Sequence, residues 1–259
     1  MLFSSNMSPD KRRLIHAFIV PGFCSLIIIL ISVLAFNMGW DLDRLGVYPR
    51  TLKGALGILL HPFIHENWSH LINNVSTFFL LSTALYYFYH TVANHVLIMI
   101  WLLSGLFLWL IGRESYHIGA SGIIYGLAFF LFWSGLIISS TSLTAISFIV
   151  VFWYGNLVWN MFPLPTNAMI SWEGHLSGAL AGTIAAFTFR KQLARYQQKE
   201  NSHFEDDDNE DDELTQLAMK YKLEEETTEE NSDENKTKKS DTDNADGLDV
   251  QNDTTNHKS

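Results

Sequence analysis

Ser121, His175, His70 and Asn74 carry the chemistry that this sequence could perform. Ser121 lies between glycines in His117-Ile-Gly-Ala-Ser-Gly-Ile123, where a polar stretch runs into a long apolar one. His175 opens a second apolar run, and Gly178 and Gly182 follow it. His70 and Asn74 open a third, with His61 and His65 just ahead of them. A serine hydroxyl is a weak nucleophile until a base takes its proton, and imidazole is suited to that task near neutral pH. The tetrahedral intermediate then needs donors aimed at its oxyanion. The side chains of His70 and Asn74 and the backbone N–H of Ser121 can supply them. No aspartate is evident for His175, so the pair would act as a Ser–His dyad. Read alone, the same serine is better explained as a helix N-cap among small packing residues.

The elements that must position these residues are apolar runs. Hydrophobic residues make up 48% of the 259 positions, but charge is distributed unevenly. From Glu200 onward there are 21 Asp/Glu against 6 Lys/Arg, a charge of −15, whereas the first 199 residues hold 6 acids and 11 bases. The net acidity therefore belongs to the tail, and the body reads as an integral membrane protein. Runs of spanning length cover about 14–36, 68–89, 95–111, 120–138, 143–162 and 171–189. The first is read as an uncleaved span. Gly54–Ile64 is too short to cross and reads as an interfacial or re-entrant piece. Six spans put both ends on one side, and Lys11, Arg12, Arg13, Arg190, Lys191 and Arg195 mark that side as cytoplasmic. The bases Arg44, Arg50 and Lys53 in the first outer loop weaken this assignment without reversing it.

The expected fold class is all-α, a polytopic bundle of six transmembrane helices over residues 1–198. An acidic, disordered cytoplasmic tail follows over 199–259, too poor in large apolar residues to bury a core. Within it, Leu214, Leu217, Ala218 and Tyr221 fall at helical spacing, either as a transient helix or as a docking segment for an unknown cytoplasmic partner. Trp40, Trp68, Trp153, Tyr154, Trp159 and Trp172 suit interface anchors. Cys24 is the single cysteine, which excludes an intrachain disulfide. No phosphate-binding loop or nucleic-acid motif is present, so no nucleic-acid partner is expected.

Spans two, four and six run in the same direction, so their beginnings share the outer face. His70 with Asn74, Ser121 with Tyr125, and Glu173 with His175 all lie within the first turns of these spans. Polar residues inside spans are costly, and convergence at one face and depth favours a single site. His70 and Asn74 share a helix face at i, i+4, as do Ser121 and Tyr125. Gly119, Gly122 and Gly126 form one small-residue stripe, and His175, Gly178 and Gly182 form another. Two such stripes let helix backbones approach closely, which would bring Ser121 to His175. Tyr125 would stack on the imidazole. His61 and His65 are expected to hold the loop and the start of span two by hydrogen bonding. The His-Glu-x-x-His zinc pattern is absent, because Ser69 stands where its second histidine would be. Glu173 lies about 200° around the helix from His175 and is expected to face the interface or water. Asn156 and Asn160 suit interhelical hydrogen bonds. Asn67-Trp-Ser69 fits a glycosylation pattern but abuts the membrane.

These residues resemble the motifs of the rhomboid intramembrane serine proteases. Gly119-Ala-Ser121-Gly122 resembles the family's Gly-x-Ser-Gly. The histidine-rich stretch ending in His70-Leu-Ile-Asn-Asn74 is similar to its His-x-x-x-Asn. Gly174-His175-Leu-Ser-Gly178-Ala-Leu-Ala-Gly182 is similar to its histidine helix, and the match covers roughly 54–189. The resemblance implies Ser121 as nucleophile, His175 as general base and acid, His70 and Asn74 as oxyanion donors, and Tyr125 packed on His175, with Gly119, Gly122 and His65 supporting them. It implies a gate at Trp159 and Phe162 and a cap over the site at 163–170. The Trp-Arg pair that many members carry in the first outer loop is missing here. No metal or cofactor is required. The expected partners are the lipid bilayer and transmembrane protein substrates, cut near the outer face of a bacterial cytoplasmic membrane. Two other classes remain: a catalytically silent rhomboid-like chaperone or binding factor, and a small transporter.

Overall fold

The computed structural model describes residues 9–138, 161–162 and 171–195, together with positions 217, 219, 220 and 222. Chain contacts divide the protein into two units, Met1–Gln197 and Gln198–Ser259. In the second unit, Leu217, Met219, Lys220 and Lys222 are helical and exposed.

Among the described residues, the regular elements of the first unit are helices, apart from one isolated bridge. In chain order the helices are α1 (Pro9–Met38), α2 (Leu52–Ala55), α3 (Gly57–Leu60), α4 (Trp68–Phe88), α5 (Ala93–Ile111), α6 (Ser121–Ile138) and α7 (172–195). Among these, Lys11–Met38, Ala93–Ile111 and Ser121–Ile138 are long and apolar enough to cross a bilayer. The 21 residues of α4 are also long enough, at about 1.5 Å per residue. Its lower apolarity comes from His70, Asn73 and Asn74 near its start. The expected fifth span, 143–162, lies almost entirely outside the described residues, as do Trp153, Tyr154, Asn156, Trp159 and Asn160.

α6 is the central element. Two thirds of it is buried, the pattern of a helix apolar on every side and surrounded by others. α4 and α5 pack on it, and α1 packs on α4. Leu81, Leu85, Tyr89, Val96, Ile100, Leu127 and Phe130 form the centre of the core, with Tyr89 set edge-on to Phe130 at 5.6 Å. Outward, α1 exposes Ile19, Phe23, Leu26 and Leu30, an apolar surface suited to lipid tails. Arg13 closes the end of the α1–α4 pair at which α1 begins and α4 finishes. It donates to the Tyr87 carbonyl at 2.8 Å and covers the Tyr87 ring at 5.1 Å. A cation there also complements the C-terminal end of α4.

The segment between α1 and α4 holds no helix long enough to cross a bilayer. Of its short apolar pieces, α2 and α3 lie against α5, and a 3₁₀ turn at His61–Phe63 meets α1 and α6. Arg50 anchors this loop and adopts φ 58° in doing so. Its guanidinium donates to the Gly112 carbonyl at 2.9 Å, and its N–H donates to the Trp109 carbonyl at 3.0 Å. The indole N–H of Trp109 returns a bond to the Thr51 carbonyl at 2.9 Å. The last carbonyls of α5, which no intrahelical donor reaches, are thus capped from the loop.

Candidate active site

Three helix starts build the site. Asn67 caps α4, its side chain accepting the His70 N–H at 2.9 Å, which sets where His70 and Asn74 emerge. Ser171 precedes α7, its carbonyl accepting the N–H groups of Gly174 and His175 at 3.1 and 3.3 Å. At the start of α6, Ala120 supplies the carbonyl that accepts the Ile124 N–H at 3.1 Å, and Ser121 is the first helical residue. The serine therefore does not occupy the N-cap position. Its Oγ instead lies 3.1 Å from His175 Nε2, and it donates if that nitrogen carries the lone pair.

The glycine stripes explain how two backbones come this near. A Cβ added at Gly178 would lie 2.0 Å from the Gly122 carbonyl oxygen, and one at Gly182 would lie 2.0 Å from the Gly126 carbonyl oxygen. No residue with a side chain fits either position. Tyr125 stacks on His175 with ring centres 4.2 Å apart and planes 9° from parallel. Lower on the same seam, the Trp133 indole donates to Thr183 Oγ1 at 3.1 Å.

His70 and Asn74 flank the turn that leads into Ser121. Gly119 there adopts φ +101°, which disfavours any side chain. A Cβ on it would fall 2.8 Å from His70 Nε2 and 3.4 Å from Asn74 Nδ2. The amide nitrogen of Asn74 is buried and has no hydrogen-bond partner among the described residues. A buried donor left without an acceptor costs about 1–3 kcal/mol. Here that nitrogen lies beside Gly119, two residues before Ser121.

His65 and His61 both make hydrogen bonds in the loop before α4. His65 Nδ1 is 3.4 Å from Ser32 Oγ of α1, and its ring meets His70 edge-on at 5.1 Å. His61 Nδ1 donates to the Gly57 carbonyl at 2.9 Å, while its own carbonyl accepts the Gly119 N–H at 2.9 Å. Burial pulls His61 down to about 4 and His65 to about 3, so both stay neutral at ordinary pH. Among the described residues, no three His, Cys, Asp or Glu side chains gather as a metal site. A cavity of about 10 Å³ lies beside Ser121, bordered by His61, Ser104, His117 and Ser171, roughly the room one water needs.

The structure corrects the reading of Glu173. The residue does turn away from His175, but not to water: it is 3% exposed. On that side, α7 packs beneath the loop before α6. Glu173 Oε1 lies 3.4 Å from the Arg113 N–H and 3.8 Å from Arg113 Nε. Ser171, Arg113 and Arg50 had no assigned task in the sequence. Only Ser171 left a trace there, as a serine directly before a helical run. Phe162 is about half exposed. Its proposed gate partner Trp159 and the loop 163–170 lie outside the described residues.

Comparison with known proteins settles the family. A model described as the Rhomboid domain matches residues 53–192, more than half of the chain. The chain belongs to the rhomboid family. Members of this family are in general intramembrane serine proteases. The chain is 35% identical over 170 residues to the uncharacterized protein Rv1337 of Mycobacterium tuberculosis, spanning 61% of this chain and 69% of that one. It is 33% identical over 156 residues to the uncharacterized protein ML1171 of Mycobacterium leprae, spanning 57% and 61%. It is 28% identical over 144 residues to L523 of Acanthamoeba polyphaga mimivirus, which carries a provisional rhomboid name, spanning 54% and 78%. The protein is thus a rhomboid-fold helical membrane protein, with the Ser121–His175 pair inside the matched region.

Proposed function

We propose that this rhomboid protein is an active intramembrane serine endopeptidase that cuts transmembrane segments of other membrane proteins near the outer face. The observation that carries the reading is the 3.1 Å approach of His175 Nε2 to Ser121 Oγ. In this mechanism His175 takes the Ser121 proton as the oxygen attacks a peptide carbonyl. It then returns the proton to the leaving amine. The oxyanion is held by the Asn74 amide, by His70 and by the Ser121 N–H, whose position at the start of α6 leaves it without an intrahelical acceptor. Tyr125 keeps the imidazole plane in line. Water from the outer face resolves the acyl-enzyme. The carbonyls of a substrate helix are already hydrogen-bonded, so the segment must unwind before attack, and substrates with Gly or Pro near the cut are preferred. No metal or cofactor takes part in this scheme.

The same proposal sets both ends of the chain in the cytoplasm of a bacterium, with the multi-pass domain 1–198 in the inner membrane. The acidic segment 199–259 would be a solvated extension that recruits a cytoplasmic partner. A silent chaperone would have no use for a stacked, hydrogen-bonded Ser–His pair.

The test is labelling of detergent-solubilised protein with a fluorophosphonate serine probe, comparing native with Ser121→Ala and His175→Ala. Labelling and cleavage of a helical test substrate that depend on both residues are expected. Equal labelling of all three proteins, with no cleavage, removes the protease reading.

A further inference from the structure

His117 opens the serine motif, yet the proposed dyad chemistry gives it no task. It is 3% exposed and held on several sides. Its main chain exchanges two hydrogen bonds with Val47, each 2.9 Å. Its Nε2 lies 3.1 Å from the Arg113 carbonyl, which can only accept, so that nitrogen carries the proton. Nδ1 therefore holds the lone pair and accepts from the Ser171 hydroxyl at 2.7 Å. Ser171 is the residue whose carbonyl receives the Gly174 and His175 N–H groups. Its Oγ also lies 3.3 Å from the Gly174 nitrogen. The Arg113–Glu173 contact runs beside this link, joining the same loop to the same turn of α7.

We propose that His117, acting through Ser171, is a positioning residue that fixes the rotation of the first turn of α7 and so aims His175 at Ser121. The inference rests on the protease reading. The need for such a device follows from the glycine seam. Backbone contacts at Gly178 and Gly182 limit how near α6 and α7 can come. They present no side-chain ridges to lock one helix against rotation about its own axis. The Trp133–Thr183 bond pins the seam at one level, and the His117–Ser171 bond pins it within one turn of the imidazole. Side-chain tips lie roughly 5–6 Å from a helix axis. A rotation of about 10° would therefore displace His175 Nε2 by about 1 Å, a misplacement that can cost about 100-fold in rate.

The experiment uses full-length protein in detergent with a helical substrate. The variants are His117→Phe, Ser171→Ala, their double, and Ser171→Thr, which keeps the hydroxyl. Each of the first two lowers kcat by about 10- to 100-fold with KM within about twofold of native. The double is no worse than the poorer single, because both remove one bond, and Ser171→Thr stays within about threefold of native. Losses that multiply in the double overturn the proposal, as does a Ser171→Thr variant as poor as Ser171→Ala. A ¹⁵N-histidine NMR spectrum gives a readout that needs no turnover. Native His117 shows the Nε2–H tautomer, and Ser171→Ala shifts the ring signals of both His117 and His175. An Nδ1–H tautomer in the native protein, or a His175 signal unmoved by Ser171→Ala, overturns the positioning role. Native protein that cleaves nothing while keeping these signals overturns the protease reading alone.

Discussion

Replacing Gly178 with alanine tests whether backbone contact between α6 and α7 creates the site. The new methyl would meet the Gly122 carbonyl oxygen at 2.0 Å, with the carbonyl carbon at 2.8 Å. Both belong to backbone, which no rotamer change can move aside. Reaching an ordinary contact of about 3.4 Å demands that the helices part by about 1.4 Å at this level. Ser121 directly precedes Gly122 and His175 lies one turn before Gly178, so their 3.1 Å separation would open beyond hydrogen-bond range. We expect a loss of at least about 100-fold in cleavage and about 1–3 kcal/mol in stability from overpacking. Gly122→Ala provides the internal comparison, because its methyl would sit 3.3 Å from the Gly174 oxygen, a conflict of tenths of an ångström. That variant should keep activity within about tenfold of native. Gly126→Ala should fall between, since its nearest obstacle is the Ile100 Cγ2 methyl at 2.2 Å, a side chain rather than backbone. Rates of fluorophosphonate labelling and substrate cleavage, with a thermal melt of each purified variant, give the ranking. Equal losses in Gly178→Ala and Gly122→Ala would refute the argument that carbonyl contact at the seam sets the dyad distance.

Three further predictions follow from other parts of the site. Asn74→Leu removes an oxyanion donor and should lower kcat by about 10²–10³. It should also hold or raise the melting temperature, because a buried donor without a partner is removed; a fall in both would show that Asn74 is structural. Tyr125→Phe keeps the stacked ring and should stay within about threefold of native, while Tyr125→Ala should lose about tenfold, the worth of an aromatic stack, measured as kcat on one substrate. Acid should destabilise the fold in a defined window. His61 goes from its ordinary 6.5 down to about 4 on folding, so between these values the unfolded chain binds more protons. Stability is then complete above about pH 6.5 and falls as pH drops toward 4, by up to about 3 kcal/mol for this residue. Melts at pH 7 and pH 4.5 measure it, and His61→Asn should flatten the slope; an equally steep slope in that variant assigns the acid lability elsewhere.

How much of this was legible in the sequence depends on the range of the interaction involved. Apolar run length located the described spans, because a bilayer imposes a length on any helix that crosses it. The spacings Ser121/Tyr125, His70/Asn74 and His175/Gly178/Gly182 were readable because a helix repeats every 3.6 residues and small residues mark close seams. The two glycine stripes even indicated which helices would touch. Glu173 shows where such reasoning stops. Its angular offset from His175 was right, but solvent exposure depends on what lies over that face, and here it is the loop carrying Arg113. Ser121 shows the same limit from the other side. A serine before an apolar run has the local signature of a cap, and only the position of α7 commits its hydroxyl to His175.

By itself, then, the sequence determined the described apolar helices, the faces their polar residues occupy and the family motifs, all of which follow from local periodicity and bilayer thickness. The tertiary structure decided the contacts between distant segments: Val47 with His117, Ser171 with His117, Arg50 with the end of α5, and Arg113 with Glu173. These are a few hydrogen bonds and one ion pair between residues separated by many positions. No periodicity encodes them, because each exists only once the helices have packed and brought two loops within about 3 Å.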